Sequence, residues 1–236
     1  MAKLFEILLR KAGWMSEEPA PASEESKVYN PIGAKVGGSI TIDSLDYRGQ
    51  SFFVKEIREY SVSMGGKTHR FVDYILLSRP LGKPDLWVRL RLVPDRNSDS
   101  RLTHKAMVLH LYDEFEFNED FKKGVLDFDG TNKFVIDDDK SDNDPDNDTH
   151  DEYWRVADVG ISYKAKYVAM ADENNDGKVS QDELNRGEIE FWDYSRNTDI
   201  DGVELEQYIF VEMDAKTGWF QLWQGTQVSP ENVDAI

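Results

Sequence analysis

Leu86-Trp-Val-Arg-Leu-Arg-Leu-Val93 decides the fold class of this chain. Val88, Leu90 and Leu92 alternate with Arg89 and Arg91, which is the two-residue period of a strand with one face on a core and the other half-exposed. Working outward, residues 39–43, 52–63, 70–78 and 107–115 also read as strands, and 162–171 alternates polar and apolar residues in the same way. Gly, Pro, Asn and Asp punctuate these segments, as turns require. The expected fold is mainly β.

An internal repeat organises the strands. Glu56-Ile-Arg-Glu-Tyr-Ser61 returns as Glu190-Phe-Trp-Asp-Tyr-Ser195, offset by 134, and Asp73-Tyr-Ile-Leu-Leu77 returns as Gln207-Tyr-Ile-Phe-Val211 at the same offset. Trp87-Val-Arg-Leu90 then matches Trp219-Phe-Gln-Leu222 with a two-residue shortening. This pattern predicts two duplicated small β-barrel or sheet units, 30–116 and 117–229, with Tyr60 and Tyr194, Tyr74 and Tyr208, and Trp87 and Trp219 in equivalent places. It also makes Asn197-Thr-Asp-Ile-Asp-Gly202 a hairpin turn, because its first-unit counterpart lies between two strands.

Composition narrows the function. With 236 residues, 39% apolar and 12% aromatic, the chain can bury a substantial core as one large or two small domains. A net charge of -18 argues against nucleic acid as a partner, since phosphate binding needs clustered Lys and Arg. The absence of cysteine excludes thiol catalysis, disulfides and thiolate zinc sites. No apolar run approaches the length of a membrane helix and no cleavable leader is evident, so the expected location is the cytoplasm of a bacterium.

Residues 1–15 predict an amphipathic helix, with Leu4, Phe5, Leu8 and Trp14 among its apolar residues and a net charge of +2, and 16–28 reads as a linker. The remaining chain carries -20, so the helix suits an anionic membrane surface, as a peripheral attachment, or a protein partner's groove. Docking of the helix on its own domain fits equally well. Residues 137–152 hold nine acidic residues and one Lys, the composition of a self-repelling loop with diffuse cation affinity.

One twelve-residue segment points to a metal. Asp172-Glu-Asn-Asn-Asp-Gly-Lys-Val-Ser-Gln-Asp-Glu183 places oxygen donors at positions 1, 3, 5, 9 and 12 around a central glycine. Asp172, Asn174 and Asp176 offer side-chain oxygens, Lys178 a backbone carbonyl, Ser180 a ligand or water bridge, and Glu183 a bidentate carboxylate. The segment resembles an EF-hand loop, which implies Ca²⁺ as the bound ion, here on a β-hairpin. Other chemistry is not evident. Gly65-Gly66-Lys67-Thr68 lacks the first glycine and the following helix of a phosphate loop, and the four histidines show no metal-binding spacing. Trp87, Trp154, Trp192, Trp219 and Trp223 suit a ligand groove, but three lie in repeated strands where core packing is the commoner use.

Residues 29–48, with the string Asn-Pro-x-Gly-x-x-x-Gly-Gly-x-x-x-x-Asp-x-Leu-x-x-Arg, and the C-terminal segment 208–225 resemble the uncharacterised bacterial YjfK-like proteins and related domains of unknown function. The resemblance implies a cytoplasmic accessory role near membranes and carries over no catalytic residue. The sequence thus leads to a calcium-binding, non-enzymatic accessory or interaction protein. An enzyme of unrecognised type with structural calcium, or a glycan-binding module, is the alternative.

Overall fold

A computed structural model describes residues 30–44, 46–64, 67–78, 86–94, 104–127, 133–137, 150–156, 162–171, 184–200 and 202–236. Its strands are β1 (Ser39–Ile42), β2 (Gln50–Met64), β3 (Lys67–Ser78), β4 (Leu86–Pro94), β5 (His104–Phe115), β6 (Lys133–Asp137), β7 (His150–Arg155), β8 (Tyr163–Ala171), β9 (Leu184–Ile200), β10 (Val203–Asp214), β11 (Phe220–Val228) and β12 (Val233–Ala235). Between β5 and β6 a single helical turn, α1 (Glu119–Phe121), runs into a π-helical turn at Lys122–Leu126. The Asn118 side chain caps α1 by accepting the Phe121 N–H at 3.0 Å.

Eight strands close a ring in the order β2-β3-β4-β5-β11-β10-β9-β8, with β8 returning to β2, and every neighbouring pair is antiparallel. Closure leaves no open edge in the ring. Two long strands make it possible. β2 pairs with β1 through Gln50 to Phe53, shifts register between Val54 and Glu56, and then pairs with β8 through Glu56 to Val62. β9 pairs first with β8 and then, at Tyr194 and Ser195, with β7. At the β5–β11 seam Gly225 is required, since a Cβ there would lie 1.8 Å from the Val108 carbonyl oxygen.

The apolar residues among those described form three clusters, and the ring explains all three. One fills the lumen, with Tyr60, Phe71, Leu109, Phe191, Phe210 and Trp223 among its members. A second lies outside β2 to β5, where Ile57, Tyr74, Leu76, Val88 and Leu90 meet Ile40 and Ile42 of β1 and Val233 of β12. The third lies outside β9 to β11, where Trp192, Tyr194, Ile209 and Val211 are covered by Leu126, Phe134 and Tyr153. The alternation around Arg89 therefore has no solvent face: Val88, Leu90 and Leu92 pack outward under covering strands and the arginines point into the lumen.

Mainly β is right, but the two duplicated units are not. The described residues build one closed eight-stranded barrel, to which the first half supplies β2 to β5 and the second β8 to β11, together with four further strands. Tyr60 lies in the lumen cluster whereas Tyr194 is outside, and Tyr74 is outside whereas Tyr208 is within. The reason is topological. β2 and β9 are both antiparallel to β8 and so point the same way, yet β2-β3-β4 and β9-β10-β11 run around the ring in opposite directions. A hairpin traced the other way round turns its opposite face inward. The registers differ as well, Tyr60 facing Phe71 but Tyr194 facing Ile209.

The hairpin turn expected at 197–202 is present between β9 and β10, where Asp199 Oδ1 accepts the Gly202 N–H at 2.8 Å. The amphipathic helix 1–15 and linker 16–28 lie outside the described residues, as do residues 138–149 of the acidic segment, whose ends belong to β6 and β7. No helix among the described residues is long and apolar enough to cross a membrane.

Candidate functional site

Burying charge in a lumen costs several kcal/mol per ion unless each charge is paired and hydrogen-bonded. Four charged side chains meet that condition here. Arg89 and Arg91 from β4, Asp73 from β3 and Glu212 from β10 are all essentially inaccessible to solvent. β3 and β10 stand on opposite sides of the ring, so the cluster crosses the lumen. Arg91 presents its Nε and Nη2 side by side to the two oxygens of Asp73, both at 2.8 Å, and Nη2 also reaches Glu212 Oε1 at 2.6 Å. Arg89 works through Nη1 alone, which lies 2.6 and 2.7 Å from the Glu212 oxygens and 3.2 Å from Asp73 Oδ2.

The formal charges cancel, and the pairing shows in the acid-base properties. Burial alone would raise the Glu212 carboxyl, but the two guanidinium groups outweigh it and hold the group down at about 2. Burial likewise opposes the charge on Arg91, and Asp73 and Glu212 more than restore it, leaving its pKa raised. Aromatic rings line the rest. The Arg91 guanidinium lies 4.7 Å from the Phe71 ring centre and 4.5 Å from that of Phe210, while Arg89 lies 3.8 Å from Trp223. Burial pushes the nearby Tyr60 hydroxyl up to about 12.

Three side chains of this assembly carry buried hydrogen-bonding atoms with no protein partner: Arg89 at Nε and Nη2, Trp223 at the indole Nε1, and Tyr60 at its hydroxyl. Arg89 and Trp223 form part of the wall of a cavity of about 230 Å³ at one end of the barrel, together with Arg58, Ile75, Leu111, Glu114 and Gln221. Arg58 is already engaged, its Nε and Nη2 meeting the two oxygens of Glu56 at 2.5 and 3.1 Å. Glu114 accepts from the Gln221 side chain at the rim. A wider groove of about 550 Å³ runs outside β4, β5 and β11, past His110, Gln207 and Gln224. Its amides are committed, Gln224 donating to Tyr153 Oη at 2.7 Å and Gln207 accepting from Arg196 at 2.8 Å. The mouth of the lumen is therefore where unmet hydrogen-bonding capacity and empty space coincide.

The calcium reading is corrected. Among the described residues no group of three or more His, Asp or Glu side chains is arranged to hold a metal ion. Asp172, Asn174, Asp176, Lys178, Ser180 and Glu183 themselves lie outside the described residues, in the segment joining β8 to β9. Acidic side chains at loop spacing are common in a chain with 46 Asp and Glu, and in the described barrel Asp73, Glu212 and Glu190 are used against Arg and Lys instead.

Of the five tryptophans singled out as groove candidates, Trp192 and Trp223 are buried, and Trp87, Trp154 and Trp219 are partly exposed. Trp87 and Trp223 reach the cavity. The arginines were missed, although the signal was there. Asp73 and Glu212 each interrupt an otherwise apolar strand, as in Phe71-Val-Asp-Tyr-Ile-Leu-Leu77, and such isolated charges have to find buried partners.

Compared with known proteins, the chain matches no family model, no curated protein and no solved structure.

Proposed function

We propose that this protein is a binding protein whose eight-stranded barrel takes a small organic molecule at one end of its lumen. An eight-stranded barrel is just wide enough either to be filled by side chains or to hold one small ligand. Here the two outcomes divide the lumen: the Arg91 end is packed with aromatic rings, and the Arg89 end opens into the cavity. The observation that carries the reading is the coincidence of that cavity with buried donors lacking partners. A buried polar group left unsatisfied costs about 1–3 kcal/mol, so a ligand that accepts these hydrogen bonds gains what the free protein forgoes.

A fragment screen by ¹H–¹⁵N correlation spectra on the full chain tests this. Small ring compounds, cationic, neutral and anionic, should include members that shift resonances of Ile75, Arg89, Leu111 and Trp223 in a saturable way. Leu111→Trp, which fills the cavity, should abolish those shifts. Shifts scattered over the surface, or unaffected by the filled cavity, would remove the reading.

A further inference from the structure

We propose that the ligand is a small, flat carboxylate received side-on by Arg89, an inference that rests on the binding reading above. The barrel supplies its own standards. A guanidinium has a side edge, formed by Nε and one Nη, whose two parallel N–H groups match the two oxygens of a carboxylate. Arg91 has this edge filled by Asp73, and Arg58 has it filled by Glu56. In Arg89 the same pair, Nε and Nη2, meets no acceptor. Of the three arginines, it is the one with a vacant edge that also lines the cavity.

The surroundings define the rest of the ligand. Ile75, Leu111, Trp87 and Trp223 contribute apolar and aromatic wall, which suits a flat body. At about 230 Å³ the cavity is smaller than the roughly 300–1,000 Å³ of sites for drug-sized molecules, so the occupant is a single ring or a short chain. Asp73 and Glu212 hold Arg89 through Nη1 and leave the opposite edge to the newcomer. The carboxylate of Glu114 is exposed and held by Gln221, so solvent weakens its repulsion. The vacant nitrogens and the Trp223 indole N–H are closed to solvent in this conformation, and the Trp223 ring lies over the guanidinium. Entry of the ligand therefore moves that ring, and the freed indole N–H is the second donor.

The test titrates the full chain with acetate, benzoate, benzamide and inorganic phosphate, following the Arg89 Nε–H and Trp223 indole signals. Benzoate should bind at least tenfold more tightly than benzamide, its neutral counterpart, and shift both signals. Arg89→Lys keeps one cation for Glu212 and Asp73 but lacks the side edge, and should weaken benzoate at least tenfold. Leu111→Trp leaves the arginine intact and should also exclude benzoate, so the outcome does not depend on Arg89→Lys folding. Benzamide binding as well as benzoate, or benzoate affinity retained in a folded Arg89→Lys protein, would overturn the carboxylate while leaving a ligand cavity. Phosphate shifting the Arg89 signal when neither acetate nor benzoate does would overturn it too. No effect at the cavity from these or any screened fragment would overturn both readings.

Discussion

Arg89 and Arg91 leave the same face of β4 two residues apart, about 7 Å along the strand, and share the partners Asp73 and Glu212. They are nevertheless differently employed. Arg91 has a carboxylate on its side edge and rings of Phe71 and Phe210 beside it. Arg89 spends one nitrogen on the same carboxylates, and its other two donors are buried without partners in a side chain that lines the cavity. The difference teaches how one neutral cluster of charges can serve two ends: the deep half fixes how the barrel closes, and the shallow half is left able to bind.

Damage at the deep end should therefore be far more costly. Asp73→Asn removes the charge that Arg91 clasps and leaves a buried cation short of its partner, for an expected loss of about 3–5 kcal/mol. Gln221→Ala at the rim, where one hydrogen bond to an exposed Glu114 is lost, should stay within about 0.5 kcal/mol. Urea unfolding of the two variants compares them directly, and similar losses would break the comparison.

Acid should attack the same cluster. Glu212 is held at about 2 against an ordinary value of 4.5, so its contribution to stability is complete above 4.5 and is lost as pH falls from there toward 2. The shift corresponds to about 3 kcal/mol. Urea unfolding at a series of pH values from 5.5 down to about 2.5 should show a slope that is shallower in Glu212→Gln than in the unaltered chain. Equal slopes would mean that Glu212 is not the group being titrated.

Much of this barrel could be read from the chain. The strands expected at 39–43, 52–63, 70–78 and 107–115 all appear within a few residues of their expected ends, because alternation and turn residues are local properties. Ring closure was not legible, since it depends on β5 meeting β11 and β2 meeting β8, pairings between residues about a hundred positions apart. The repeat misled for the same reason: similar strings such as those at Tyr60 and Tyr194 favour a strand in both places but do not say which face turns inward. Closure also hid the site. Arg89 and Arg91 look solvent-facing in a single strand, and only a closed ring carries Glu212 across to them.

The finest comparison replaces each arginine with lysine, which keeps the charge but offers a single ammonium instead of a fork. In Arg91→Lys the paired contact with Asp73 is reduced to one, and the Phe71 and Phe210 rings lose a flat cation, so a loss of about 2–3 kcal/mol is expected. In Arg89→Lys the ammonium takes over the role of Nη1 toward Glu212 and Asp73. Part of the stacking on Trp223 goes, but so do two buried donors that had no acceptor, and the two effects offset each other. Arg89→Lys should therefore fall within about 1 kcal/mol of the unaltered protein in urea unfolding. A loss as large as that of Arg91→Lys would show that the side edge of Arg89 already holds the barrel together, and an edge with that duty is not waiting for a ligand.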